Sequence, residues 1–470
     1  MPAKPHADSA FNRRAAEAIY NRDMIAAIRD TAARKQAARL AAWSRIRNLS
    51  ALRSRAAAIK RHTFDHLDEY LARFIDRLES LGARVHTAAT RDDALATIKR
   101  IVRDAGAKTY VQAKTMTAEE IDVRRALEHM GLHTYETDLG EYVVQLDNDR
   151  PSHIVTPIIH KNRRDIANTL CRALDTGYTE DPHELVAVVR RHFRDVFRRA
   201  DLGLTGVNFA VAETGTLCIC TNEGNARFVT ARPRVHVALM GIEKIIPRLA
   251  DLPVFLKLLT TSSSGQPLTA YTTLITGPRR ADEPDGPEQL HVVLLDAGRS
   301  DILSSPYHDA LACIRCAACL NVCPVFRNVG GHAYASTYSG PIGKVISPLL
   351  GIGDACYELP NASSLCGACL EACTVNIDIP RMLIQHRADR VAAHRVPFGK
   401  SLAYRLAFLA MRRPWTYRLA QRFLRRFLSA RATDGWVDSV PGPFAAWTDA
   451  RDLPVLPPRT FRDWWTTHGI

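Results

Sequence analysis

The chain has 470 residues, a formal net charge of +14, 46% hydrophobic and 24% charged residues. These are the values of a soluble globular protein with room for two or three domains, and no apolar run approaches the roughly 20 residues that a bilayer span needs. The opening "MPAKPHADSAFNRR" has no apolar secretory core, and Asp8, Glu17, Asp23 and Asp30 dilute any transit-peptide character. The expected location is therefore cytoplasmic, with peripheral attachment to the inner membrane face left open. Residues 1–61 carry 14 Lys/Arg against 4 Asp/Glu, and from Arg387 to Arg426 the only acid is Asp389. Such asymmetry points to an acidic partner, an anionic membrane or nucleic acid. No nucleic-acid-binding pattern accompanies it, so nucleic acid is not expected as a partner.

In chain order, residues 1–82 read as a basic helical region. "RDMIAAIRDTAARKQAARLAAW" and "FDHLDEYLARFIDRLESLG" space apolar residues three and four apart, and Gly82 makes a C-terminal stop. Residues 83–300 alternate β-rich runs ("TYVQAK", "EYVVQL", "HIVTPII", "GTLCICT", "RVHVALMG", "HVVLLD") with helical ones such as "ELVAVVRRHFRDVFRRA". That alternation predicts an α/β domain with a mostly parallel sheet. Residues 301–395 form a cysteine-rich domain. Residues 396–470 combine a helical stretch broken at Pro414 with a Pro- and Trp-rich arm, for which Trp447, Trp464 and Trp465 are the expected anchors.

Eleven cysteines in a chain without a secretory signal are expected to be reduced, and closely spaced ones to bind metal. Cys313, Cys316, Cys319 and Cys323, followed by Pro324, match C-x2-C-x2-C-x3-C-P, the bacterial ferredoxin run. Zinc needs only two pairs of ligands and does not account for a triplet. In the ferredoxin pattern the fourth cysteine serves the other cluster. Cluster one then takes Cys313, Cys316, Cys319 and Cys373, and cluster two takes Cys323, Cys366 and Cys369. The position three before Cys366 holds Ser363. Three readings stay open: a [4Fe–4S] cluster with a non-cysteine ligand such as Ser363 or water, a contribution from Cys356, or a [3Fe–4S] cluster. Two adjacent clusters make a path for electrons and no reaction centre.

The ferredoxin run, "SSLCGACLEAC" with "NIDIP", "GEYVVQLDNDRPSHIVTPIIHK", "FAVAETGTLCICTNEGNARF" and the closing "WTDARDLP…FRDWW" resemble the lactate utilization protein B family over nearly the whole chain. The resemblance implies an iron–sulfur subunit of a bacterial system oxidising L-lactate to pyruvate, working with other lactate utilization subunits and an unidentified electron acceptor. It also implies an α/β fold like the sugar-phosphate isomerases and CoA transferases, beside an α-helical ferredoxin-like two-cluster domain with helical N- and C-terminal extensions. Thr374 departs from the family pattern, which has proline after this cysteine, and could place a new hydrogen bond on a sulfur.

"AETGT", with Glu213 and the Gly215 amide, and "TNEGNARF", with Asn222, Asn225 and Arg227, are candidates for an anion pocket. Nothing beside Glu213 completes a catalytic set. His153 and His160 lack an evident third metal ligand, and packing or capping is expected of them. "GPIGK" and "GIGDAC" fail the phosphate-loop and dinucleotide patterns. The competing readings are the same relay serving glycolate or glycerol 3-phosphate, an enzyme acting in the α/β domain with redox-sensing clusters, and a nucleic-acid-binding iron–sulfur protein.

Overall fold

The computed structural model describes residues 10–353, 356–395, 398–442, 445, 448 and 451–469. One compact unit runs as far as His386 and a second begins at Arg387. Among the described residues no helix is long and apolar enough to cross a membrane.

The basic N-terminal region is four helices: α1 (Ala10–Ala18), α2 (Arg22–Ser44), α3 (Leu49–Asp65) and α4 (Leu67–Ser80). Asn21 caps α2 by accepting from the Met24 amide. Past the end of α4, Gly82 takes the left-handed conformation (φ 88°) that the helix stop requires. Phe11, Ile28 and Ala56 from the first three helices share one apolar core with the cysteine domain.

The α/β domain holds β1 (Arg84–Ala88), β2 (Thr109–Gln112), β3 (His133–Glu136), β4 (Leu202–Gly206), β5 (Phe209–Val211), β6 (Thr216–Thr221), β7 (Val235–Gly241), β8 (Ile245–Ile246), β9 (Tyr271–Ile275) and β10 (Gln289–Leu295). Six of these form a parallel sheet in the order β1-β10-β7-β4-β2-β3. β7 is buried at every position, as a strand covered on both faces should be. The chain steps outward from β2 to β3 and then reverses to β4. The carboxyl ends of β2 and β4 therefore flank the point where an open parallel sheet leaves a crevice. A smaller sheet, β8-β5-β6-β9, packs on the same domain.

Two expected strands are not strands. "EYVVQL" lies in the helix Leu139–Leu146, which Asp138 caps by accepting from the Glu141 amide at 3.0 Å. Its consecutive Tyr142, Val143 and Val144 are all buried, so burial on every side removed the periodicity that separates helix from strand. "HIVTPII" is a series of turns pinned by His153, whose Nδ1 accepts from the amides of Val155 and Thr156, both at 3.0 Å. The strands β1, β3, β4, β5, β8 and β9 are not among those expected, β9 ("YTTLI") despite its β-rich composition.

In the second unit, the helices Phe398–Arg412 and Pro414–Ser429 are separated at Arg413, where Pro414 begins the second. Trp464 and Trp465 are half-exposed on the helix Phe461–His468 and stack among themselves, Phe461 and His468. Trp447 lies outside the described residues.

The first unit is tied together by ions. Arg299, fully buried, donates from Nε to Glu243 Oε2 (2.8 Å), from Nη1 to Glu120 Oε1 (3.1 Å) and from Nη2 to Glu120 Oε2 (2.8 Å). Burial works to raise the Glu243 carboxyl, but Arg299 leads the cations that outweigh it and hold it at about 2. Arg299→Ala would leave two buried carboxylates without their main partner. It is expected to destabilise the unit by about 3–5 kcal/mol, measured as a shift of the denaturant midpoint of the intact protein.

Candidate metal centre

The seven cysteines sit on two copies of one backbone shape. In the first, Arg315 (φ 59°) and Ala317 (φ 62°) are left-handed, the short helix Ala318–Val322 carries Cys319, and Cys323 ends it at φ −77°, ψ 119°. In the second, Leu365 (φ 55°) and Gly367 (φ 84°) are left-handed, the helix Ala368–Ala372 carries Cys369, and Cys373 ends it at φ −69°, ψ 122°. The left-handed turns bend both loops, at a cost for the residues other than glycine. Pro324 opens the helix Pro324–Val329, so the chain leaves Cys323 in a fixed direction.

Cys316, Cys319, Cys323 and Cys373 are buried, Cys313 and Cys369 half-buried, and Cys366 exposed. Their electrostatic neighbours fall into two sets. Burial pushes the Cys319 thiol well up, with Cys313, Cys316 and Cys373 acting the same way. Burial raises Cys373 to about 12, again with Cys316 and Cys313 beside it. Burial raises Cys369 to about 11, and its neighbours are Cys323 and Cys366. Thiols this crowded and dry resist ionisation on their own, and a bound metal removes that penalty.

Cations and donors surround both sets. Arg39, on α2, is 5% exposed and lies beside Cys316 and Cys319. Arg53, on α3, donates from Nε to the Cys373 carbonyl at 2.9 Å. Lys344 Nζ stands 3.7 Å from Cys323 Sγ. Backbone amides of Arg315 and Ile377 donate to Cys313 Sγ (3.4 Å) and Cys373 Sγ (3.2 Å). Thr374 brings its Oγ1 within 3.4 Å of Cys316 Sγ.

Three buried donors beside the thiols have no hydrogen-bond partner: Arg315 Nη1, Arg315 Nη2 and the Tyr334 hydroxyl. Arg315 lies against Cys313, and Glu243 Oε1 is 3.9 Å from its Nη2, beyond hydrogen-bonding reach. Tyr334 lies near Cys323 and Cys319. An unpaired buried donor costs about 1–3 kcal/mol. A sulfur-rich anion between the thiols would satisfy all three, so the residues fit an iron–sulfur group.

Arg39, Arg53 and Arg315 are not singled out by the sequence. Lys344 is the lysine of "GPIGK", where the sequence offers no phosphate loop, and the arginine excess of residues 1–61 does not show that part of it points inward. A small hollow is lined by Cys323, Cys366, Cys369 and Ser363 and closed by Pro324 and Pro380. Cys356 is buried on the turn Cys356–Asn361 and does not line that hollow.

The expected anion pocket splits. Glu213 is exposed, and its Oε2 accepts from the Leu249 amide at 2.9 Å. Asn222 and Asn225 line a cavity of about 240 Å³ at the carboxyl ends of β2 and β4, together with Lys114, Lys244 and Arg315. Glu213, Gly215 and Arg227 are not part of it. His153 caps its turn, while His160 Nε2 pairs with Asp149 at 3.0 Å and lies beside His332.

Comparison with known proteins finds matches along most of the chain. The LUD domain profile matches residues 71–295, the 4Fe-4S dicluster domain residues 309–377, and the C-terminal profile of lactate utilisation protein B residues 390–470. "Lactate utilization protein B" of Bacillus velezensis is 42% identical over 97% of this chain and 96% of its own.

The chain belongs to the lactate utilization protein B family.

Other members include the protein of that name from Anoxybacillus flavithermus, 42% identical over 98% of both chains, and "Lactate utilization protein B 2" of Bacillus mycoides, 41% identical over 97% of both. A solved duf162 family protein from Deinococcus radiodurans covers 49% of this chain at 14% identity, with a TM-score of 0.28, too low to add to the description of the fold. The 4Fe-4S dicluster match coincides with the two loops that carry the thiols.

The Thr374 hydroxyl is a local influence on the sulfur of Cys316. A hydrogen bond to sulfur favours the reduced, more negative cluster. Thr374→Val should lower the midpoint potential of the iron–sulfur group beside Cys316 by on the order of 20–60 mV, from about 0.5–1.4 kcal/mol at ~59 mV per tenfold. Potentiometric titration followed by EPR checks it.

Proposed function

We propose that this protein relays electrons during the oxidation of L-lactate to pyruvate, through two iron–sulfur clusters. Cluster one is held by Cys313, Cys316, Cys319 and Cys373, and cluster two by Cys323, Cys366 and Cys369. The observation that carries the reading is the pairing of two like loops whose thiols share one buried core with helices α1 to α3. The names of the relatives supply the substrate and imply other lactate utilization subunits as partners.

When bound, the clusters supply one-electron exchange. The chain's own residues do the rest. The apolar core keeps water from Cys316, Cys319 and Cys373. Arg39, Arg53 and Arg315 offset the negative charge that an added electron brings. The backbone amides at Arg315 and Ile377 stay fixed, so little reorganisation opposes transfer. The test is iron, sulfide and activity on anaerobically prepared protein. Cys316→Ala should lose one cluster and abolish electron transfer from L-lactate in the reconstituted system. Zinc without acid-labile sulfide, or unchanged lactate oxidation by the variant, would overturn the reading. Glycolate and glycerol 3-phosphate as donors in the same assay separate the related relays.

A second reading concerns the electron acceptor's location. The helices Phe398–Arg412 and Pro414–Ser429 leave Phe398, Phe408, Met411, Trp415 and Phe423 exposed among arginines. Such a surface suits an anionic lipid face, at about 1 kcal/mol per basic residue near the membrane. The protein should co-sediment with vesicles containing anionic lipid at low salt and be released at high salt. Equal sedimentation with neutral vesicles would count against it.

A further inference from the structure

The second loop reproduces the first even where it lacks a cysteine. Each residue of the second stands fifty positions after its counterpart: Leu365 matches Arg315, Gly367 matches Ala317, and the helix Ala368–Ala372 matches Ala318–Val322. By the same offset Ser363 matches Cys313. The side chains agree as well as the backbone. The Arg315 amide donates to Cys313 Sγ at 3.4 Å, and the Leu365 amide donates to Ser363 Oγ at 3.2 Å. In both loops the first side chain is thus folded back onto the turn that precedes the next cysteine.

A second observation is independent of the repeat. Ser363 lines the same small hollow as Cys323, Cys366 and Cys369, the three thiols assigned to cluster two. Cys356, the other candidate, does not reach it. A left-handed residue other than glycine also costs roughly 1–2 kcal/mol, and Leu365 bears that cost in the turn that presents Ser363.

We propose that Ser363 Oγ is the fourth ligand of cluster two, making it a [4Fe–4S] cluster held by three thiolates and one alkoxide. The proposal rests on the two-cluster reading above. As the oxygen–iron bond forms, the hydroxyl proton passes to solvent, and no oxidant or reductant is required. An alkoxide is a harder and more basic donor than a thiolate, so it stabilises the oxidised cluster. Cluster two therefore sits at a lower potential than a four-thiolate cluster in the same hollow.

The test uses the full chain, purified anaerobically, as wild type and as Ser363→Ala, Ser363→Cys and Cys356→Ala. The readouts are iron and sulfide content, EPR, Mössbauer spectra and midpoint potentials. Ser363→Ala should lose about one iron per chain while keeping its sulfide, with the three-iron signal of a [3Fe–4S] cluster appearing on oxidation. Ser363→Cys should keep its full iron with the cluster-two potential raised, and Cys356→Ala should match wild type. The proposal is overturned if Ser363→Ala retains wild-type iron and spectra, if Cys356→Ala is the variant that loses iron, or if the wild type itself has a three-iron second cluster. Each of those outcomes leaves the relay standing, whereas zinc without sulfide would remove the relay as well.

Discussion

A buried line of charge joins the two halves of the first unit: Glu120, Arg299, Glu243 and Arg315. Three of these residues come from segments that follow strands of the parallel sheet, Glu120 at the end of the helix Met116–Glu120. Glu120 lies beyond β2, Glu243 beyond β7 and Arg299 beyond β10. The fourth stands between two thiols of the first cysteine loop. Tyr338 closes the line, donating to Glu120 Oε2 at 2.8 Å while its ring lies 4.6 Å from the Arg315 guanidinium carbon. Arg299 satisfies both carboxylates, and the longer Arg315–Glu243 ion pair (3.9 Å) links this charge to the cysteine loop, so breaking the line would strand buried charge on both sides. The cysteine loop therefore sits where an open parallel sheet presents its crevice, and Arg315 belongs both to the cavity there and to the surroundings of Cys313.

The same need for compensation accounts for the basic N-terminal region. In sequence, its surplus of arginine and lysine suggested an acidic partner, a membrane or nucleic acid. In the structure part of that surplus turns inward. Arg39 and Arg53 meet the thiols, and Lys60, fully buried, donates to the carbonyls of Glu243 and Ile245 beside Cys313. Burial lowers Lys60 to about 7, so its charge depends on nearby negative groups, Glu243 first. Part of that basic surplus is therefore used within the chain, with Glu243 as the acid beside Lys60.

What could be read in the sequence follows from how local each feature is. The C-x2-C-x2-C-x3-C-P spacing is dictated by a short loop and was legible residue by residue. So were α2, α4 and the helix Pro182–Arg199, whose apolar residues keep a helical period. "EYVVQL" failed because its helix is buried on all sides, and "HIVTPII" because His153 holds turns where β-branched residues suggest a strand. β3 and β4 were missed because "HTYE" and "LGLTG" are short and take their place from neighbouring strands. The anion pocket was half legible. Asn222 and Asn225 face the cavity, but Glu213 belongs to a β-turn that holds the Leu249 amide. Lys244 and Arg315, which complete the cavity, come from distant segments that no local pattern connects.

The two thiol sets end up in unlike surroundings, and that difference is itself directional. The first set lies among Arg39, Arg53, Arg315 and the Thr374 hydroxyl, with Cys316, Cys319 and Cys373 all buried. The second has Lys344 at Cys323, but Cys366 is open to solvent. Cations and hydrogen bonds on sulfur favour the reduced form, so in the proposed relay these groups would favour an electron resting on the first set. Exposure at Cys366 brings the second set nearest to anything that exchanges electrons from outside. For the relay proposed above, these surroundings would give the path an outer end at Cys366 and an inner end beside Arg315, which also lines the cavity at the carboxyl edge of the sheet.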